Sequence, residues 1–170
     1  MILPLVFCSC ASERDGNDDE QPKLTDEVGR ADIIMSNSIK PDNDLSEFFK
    51  ESLKYSQSAP FFSLSGSYYS DTCAVYNSEK ELKEAYSGNR LLPAIDFNTY
   101  SLIIGRAFRY SIDCHVTNVS LYNELDAYRI LVTMTDPDSG RDAIDASFFW
   151  GLYPKMKPKE IIVLHQSVFN

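Results

Sequence analysis

Ile144-Asp145-Ala146-Ser147-Phe148-Phe149-Trp150-Gly151-Leu152-Tyr153-Pro154 is the stretch that decides the fold. With the period of two that a strand imposes, its even positions are Ile144, Ala146, Phe148, Trp150 and Leu152, an unbroken apolar face. The odd positions mix Asp145, Ser147 and Gly151 with Phe149 and Tyr153. The only tryptophan of the chain stands at the centre of the apolar face, where a large aromatic covers several neighbouring strands at once. The stretch predicts a core strand with Trp150 as its anchor and a helix over the Phe149 face.

Working outward, the same period recurs. Leu102, Ile104, Phe108 and Tyr110 alternate along one segment, and Tyr128, Ile130, Val132 and Met134 along another. Ile112, Cys114 and Val116 keep one parity while Val119 and Leu121 take the other, so the phase slips near Thr117 or Asn118 and predicts a bulge there. Ile161 to Leu164 is a continuous apolar run, which predicts a strand buried on both faces. Asp126 and the run Asp136-Pro137-Asp138-Ser139-Gly140 supply turn chemistry for hairpins, so the sheet is expected to be antiparallel.

The first half carries the helices. Asp44 with Glu47 three residues later forms a capping box, and Leu45, Phe48, Phe49 and Leu53 follow at helical spacing, predicting a helix from Leu45 to about Ser56 that Pro60 stops. Ser78 with Glu81 caps a second helix whose inner face is Leu82, Ala85 and Tyr86, with Gly88 placed to end it. Short strands are expected at Ile33 to Met35, within Phe61 to Tyr69, and at Cys73 to Tyr76. The expected fold class is α+β: a mainly antiparallel β-sheet of about five to seven strands, sandwich or half-barrel, with two helices packed on it.

Composition narrows the function. The 170 residues, 44% of them hydrophobic, are enough for one domain with a real core. A net charge of -9 and a pI near 4.6 argue against sequence-independent nucleic-acid binding, which needs clustered Lys and Arg to displace phosphate counterions.

The N-terminus reads as an address. Residues 2 to 7 are apolar and run into Cys8, Ser9 and Cys10, too short a segment to span a bilayer. From Ala11 to Glu27 the acidic residues Glu13, Asp15, Asp18, Asp19, Glu20, Asp26 and Glu27 face only Arg14 and Lys23, with little to bury, so a disordered tether is expected. The division is therefore 1–10 as a signal-peptide remnant, 11–27 as the acidic tether, and 28–170 as a single α+β domain.

The segment Phe7-Cys8-Ser9-Cys10 resembles a bacterial lipobox, and Cys10-Ala11-Ser12-Glu13-Arg14-Asp15 resembles the export signal of Bacteroidetes envelope lipoproteins. That resemblance implies lipidation at Cys10 and anchoring to the outer membrane, on the periplasmic or the cell-surface face. It also implies that Cys8 leaves with the signal and that Cys73 and Cys114 remain. These two form either one disulfide, closing a loop of about 41 residues and worth on the order of 4 kcal/mol, or two buried thiols. The later half, from Ile95-Asp96-Phe97-Asn98-Thr99-Tyr100 through the alternating strands to Ile161–Leu164, resembles the C-terminal domain of the bacterial protease-complex stability subunit over about 70 residues. Phe108, Arg109, Tyr110 and Ser111 stand where a glycine pair is expected after the first strand in that family, so the resemblance implies a fold and no binding residues.

Reaction centres find little support. Asp136, Asp138 and Gly140 begin like a calcium loop, but the twelfth position is Ser147 where a bidentate Glu is needed. His115 and His165 are the only histidines, and adjacent Cys114 and His115 point to opposite faces of a strand, which makes them poor joint ligands. There is no G-x-S-x-G, H-E-x-x-H, C-x-x-C or glycine-rich phosphate loop. No catalytic residue, metal or cofactor is expected. The expected function is a non-enzymatic, lipid-anchored module that binds an envelope protein. The alternative is a surface glycan-binding module whose aromatic faces, Tyr68 and Tyr69 with Phe108 and Tyr110, and Phe61 and Phe62 beside them, stack on sugars or dock a protein.

Overall fold

The computed structural model describes residues 33–53, 61–66, 70–111, 114–136 and 142–169. Cys10, the acidic tether, Tyr68 and Tyr69 lie outside the described residues. In chain order the elements are β1 (Ile33–Ile34), α1 (Asn43–Ser52), β2 (Thr72–Tyr76), α2 (Glu79–Ala85), β3 (Tyr100–Ser111), β4 (His115–Asn123), β5 (Ala127–Asp136), β6 (Asp142–Pro154) and β7 (Glu160–Phe169). The protein is α+β, as its patterning predicts.

The strands form two sheets. The first has the order β1-β6-β3-β2 and the second β4-β5-β7. β6 is the strand that opened the sequence analysis, and it lies inside the first sheet with Trp150 opposite Ile104 of β3 and Ile34 of β1. Each of its faces meets a different layer. Phe148, Trp150 and Leu152 join Leu102 and Ile104 under a cap of Leu45, Phe48, Phe49, Phe62 and Leu82 from the helical side. Phe149 and Tyr153 join Ile103 and Ala107 against Val119, Leu121, Ile130 and Val132 of the second sheet. The helices therefore cover the Trp150 face and the second sheet covers the Phe149 face, the reverse of the expected placement. The alternation of β6 shows that both faces are apolar enough to bury, but not which layer arrives on which side.

Pairing is mainly antiparallel, as expected, with two parallel exceptions, β1 with β6 and β5 with β7. The topology explains this. β5 and β6 belong to different sheets and are not a hairpin pair; the expected turn residues 137–140 between them lie outside the described residues. β7 then returns to β5 after the chain has crossed through β6. The turn near Asp126 does join a hairpin, β4 to β5, closed by the Glu124 amide donating to the Ala127 carbonyl at 2.9 Å. The phase slip is real. The β4–β5 register shifts between Val116 and Asn118, leaving exposed Thr117 as the extra residue while Val119 and Leu121 regain the core.

The helix signals resolve unequally. At α2, Ser78 Oγ accepts the Glu81 amide at 3.2 Å, and the Glu81 carboxylate reaches back to the Asn77 amide at 2.6 Å. Gly88 does not end this helix. Tyr86 leaves it in extended conformation and pairs with Phe62 in an isolated bridge. At α1 the cap is Asp42, not Asp44: Asp42 Oδ1 accepts the Leu45 amide at 2.7 Å from an extended backbone that follows Pro41. Asp44 falls in the first turn, where its charge suits the positive end of the helix.

One seam between the sheets is stitched. Just past β1, the Ser36 amide donates to the Val119 carbonyl at 2.8 Å. The Asn37 side chain then acts as a substitute strand: Nδ2 donates to the Leu121 carbonyl at 2.6 Å while Oδ1 accepts the Leu121 amide at 3.0 Å. Tyr153 Oη donates to the same Oδ1 at 2.9 Å, fixing the amide orientation from inside the core. The middle of the outer edge of β4, at Val119 and Leu121, is thereby occupied.

Candidate functional site

Of the expected aromatic patch, Tyr68, Tyr69, Phe108 and Tyr110, only Phe108 has a described side chain. Phe108 is only 6% exposed, because even positions of β3 face the helical layer and odd positions face the second sheet. Phe62 is fully buried and Phe61 packs against the same core. Tyr110 is a residue of β3 whose side chain lies outside the described part, as Tyr68 and Tyr69 do entirely. Cys73 and Cys114 are free thiols, which corrects the disulfide alternative. Cys73 stands opposite Gly105 in the β2–β3 ladder, where burial pushes its thiol up to about 12, so it stays protonated. Among the described residues no three of His, Cys, Asp and Glu gather in a way that could hold a metal ion.

What the fold presents instead is the far side of the second sheet. β7 was expected to be buried on both faces; Ile161 to Val163 are half-buried and Leu164 to Val168 are exposed. The reason is position. β7 is the outer strand of its sheet, hydrogen-bonded to β5 on one side and, among the described residues, to no strand on the other. Register places Tyr122, Arg129 and Ile162 in one row across the sheet, and Ser120, Leu131 and Leu164 in the next. Tyr122 at 50%, Leu164 at 37% and Val168 at 41% exposure make this an apolar outer face running to a free edge.

The rim of this face is held by charge. Lys159 Nζ donates to Asn123 Oδ1 at 2.8 Å and to the Glu124 carbonyl at 2.6 Å, and lies 5.0 Å from the centre of the Tyr128 ring. Arg129 bridges to Glu124 at 3.0 Å. These contacts tie the β4–β5 turn to the start of β7. Within β7 itself the ionisable residues are Glu160 and His165 alone, and there is no lysine or proline of the kind that blunts an edge.

The His165 side chain turns toward the start of β2. Its Nε2 meets Asp71 Oδ2 at 2.7 Å. Asp71, just ahead of β2, drew no attention in the sequence, since an aspartate between a Gly/Ser-rich stretch and a short strand reads as a loop residue. Close by, buried Arg106 donates from Nη2 to the Ser70 carbonyl at 3.3 Å, and buried Arg109 from Nη1 to the Cys114 carbonyl at 2.6 Å. Arginines at positions 106 and 109 inside an alternating apolar strand are the one sequence signal that could have flagged this end of β3.

No protein-family model matches the chain, and neither a curated protein nor a solved structure is significantly similar to it.

Proposed function

We propose that this protein is a non-enzymatic module, anchored to the outer membrane through lipid on Cys10, that binds an envelope protein by accepting an extended segment along β7. The observation that supports this is the free edge of a ten-residue strand with no lysine or proline across it. Strand addition draws affinity from main-chain hydrogen bonds along such an edge and specificity from alternate side chains beside it. Here those neighbours are Ile162, Leu164 and Val168, and behind them Leu131 and Tyr122.

The test is site-specific photo-crosslinking in cells. A crosslinking residue at Leu164 should capture one envelope protein, and the adduct should vanish when Val168→Lys places a charge on the edge. The same residue at Leu91, 94% exposed in the segment after α2, is the control. Equal adducts from both positions, or none from Leu164, would overturn the docking edge. Cys10→Ala should move the protein from the membrane to the soluble fraction; retention on the membrane would overturn the anchor.

A further inference from the structure

The β2–β3 ladder ends at the pair Thr72 and Arg106. Beyond it the Phe108 amide has no β2 carbonyl to meet, and Asp71 Oδ1 accepts it at 2.8 Å in the place of the missing strand. Oδ2 of the same carboxylate accepts from His165 Nε2 of β7 at 2.7 Å. One side chain thus fastens β3 of the first sheet to β7 of the second, at the seam opposite the one stitched by Asn37. Exposure along β7 rises past Val163, where inward packing ends. From there to Val168, the described attachments of β7 are its ladder to β5 and this one pair. Asp71 and His165 are 28% and 27% exposed, so water and protons reach them.

We propose that Asp71 and His165 form a pH-responsive clasp that holds the second half of β7 across the open seam of the sandwich. The bond is charge-assisted while the carboxylate is ionised and the imidazole protonated, and such bonds are roughly twice as strong as neutral ones. Loss of either charge loosens it.

The groups facing the pair are few among the described residues. β3 contributes the charge of Arg106, β2 the protonated Cys73 thiol two residues beyond Asp71, and β5 sets apolar Val132 opposite His165. On β7, the only other ionisable residue is Glu160, five positions away. Burial alone raises the Asp71 carboxyl. The hydrogen bonds from His165 and the Phe108 amide, with the charges of His165 and Arg106, outweigh burial and hold it below its ordinary 3.8. Since the folded value is the lower one, the carboxylate's contribution is complete above the unfolded value and disappears as pH falls through the folded value, below 3.8.

The clasp lies on the strand proposed as the docking edge, but its test uses the free protein and stands apart from any partner. Amide exchange is followed by nuclear magnetic resonance from about pH 3 to about pH 8, corrected for intrinsic rates, in wild type, Asp71→Asn and His165→Gln. Asparagine keeps a carbonyl for the Phe108 amide and removes only the charge. In wild type, protection of the amides from His165 to Val168 should hold while the Asp71 carboxylate is ionised and fall about tenfold as pH drops below 3.8. In both variants it should stay near the lower level at every pH, with Ile130 to Val132 of β5 unchanged. Wild-type and variant profiles that coincide, or a loss shared equally by β5, would overturn the clasp.

Discussion

Trp150→Ala is expected to lower the unfolding free energy by about 3 to 5 kcal/mol, the range for deleting a large buried aromatic. The indole is fully buried with its ring centre 4.5 Å from that of Phe49, and Phe49 stacks in turn toward Phe62 at 5.9 Å. Removing it takes the floor from beneath α1 as well as the centre from the first sheet. The surroundings can refill little of the gap, because Ile104 and Ile34 are fixed on the flanking strands by ladder pairing. Since Trp150 is the only tryptophan, unfolding in denaturant should be followed by circular dichroism in both proteins. A midpoint near that of wild type would show that β6 is peripheral to the fold.

Gly105→Val is expected to destabilise by about 3 kcal/mol, at the upper end for overpacking a core. Gly105 and Phe149 are opposite one another on β3 and β6, and the Phe149 ring lies directly over the glycine. A Cβ at position 105 would fall within the ring atoms, and Phe149 is itself fully buried, with no room to swing aside. The clash is pairwise, so it should be relieved pairwise. Phe149→Leu costs stability by itself, but in combination with Gly105→Val it should recover part of the loss, giving a coupling energy of about 1 kcal/mol or more. Strict additivity in the double-mutant cycle would show that the glycine serves the backbone and not the ring.

The features that were legible in the sequence are those written in a short period. The even face of β6, the slip at Thr117 and the Ser78 cap each depend on residues within a few positions, where side-chain direction is fixed by local geometry. What depends on layer placement was not legible. Phe149 and Trp150 are both large and apolar, so nothing in the alternation says which meets a helix and which meets a sheet. The run Ile161 to Leu164 looks like an interior strand because hydrophobicity records what a strand can bury, while its place at the sheet edge is set by topology. Asp71 and His165 are far apart in the chain and share no period, so their bond is visible only once the two sheets bring the start of β2 within reach of β7. The burial of Phe108 was hidden for the same reason: which layer covers its face of β3 is set by topology.

The Asn37 amide that lies along β4 also bears on how many molecules can join. A sheet lengthens without limit only if both of its outer strands can take another. Among the described residues, Ser36 already fills the Val119 carbonyl and Asn37 both backbone groups of Leu121, which closes the middle of β4 and leaves β7 as the edge of the three-stranded sheet that can take another strand. A second copy arriving there would bring its own β7 and its own filled β4. Growth along that sheet would then terminate at two chains, a closed pair in place of a fibre.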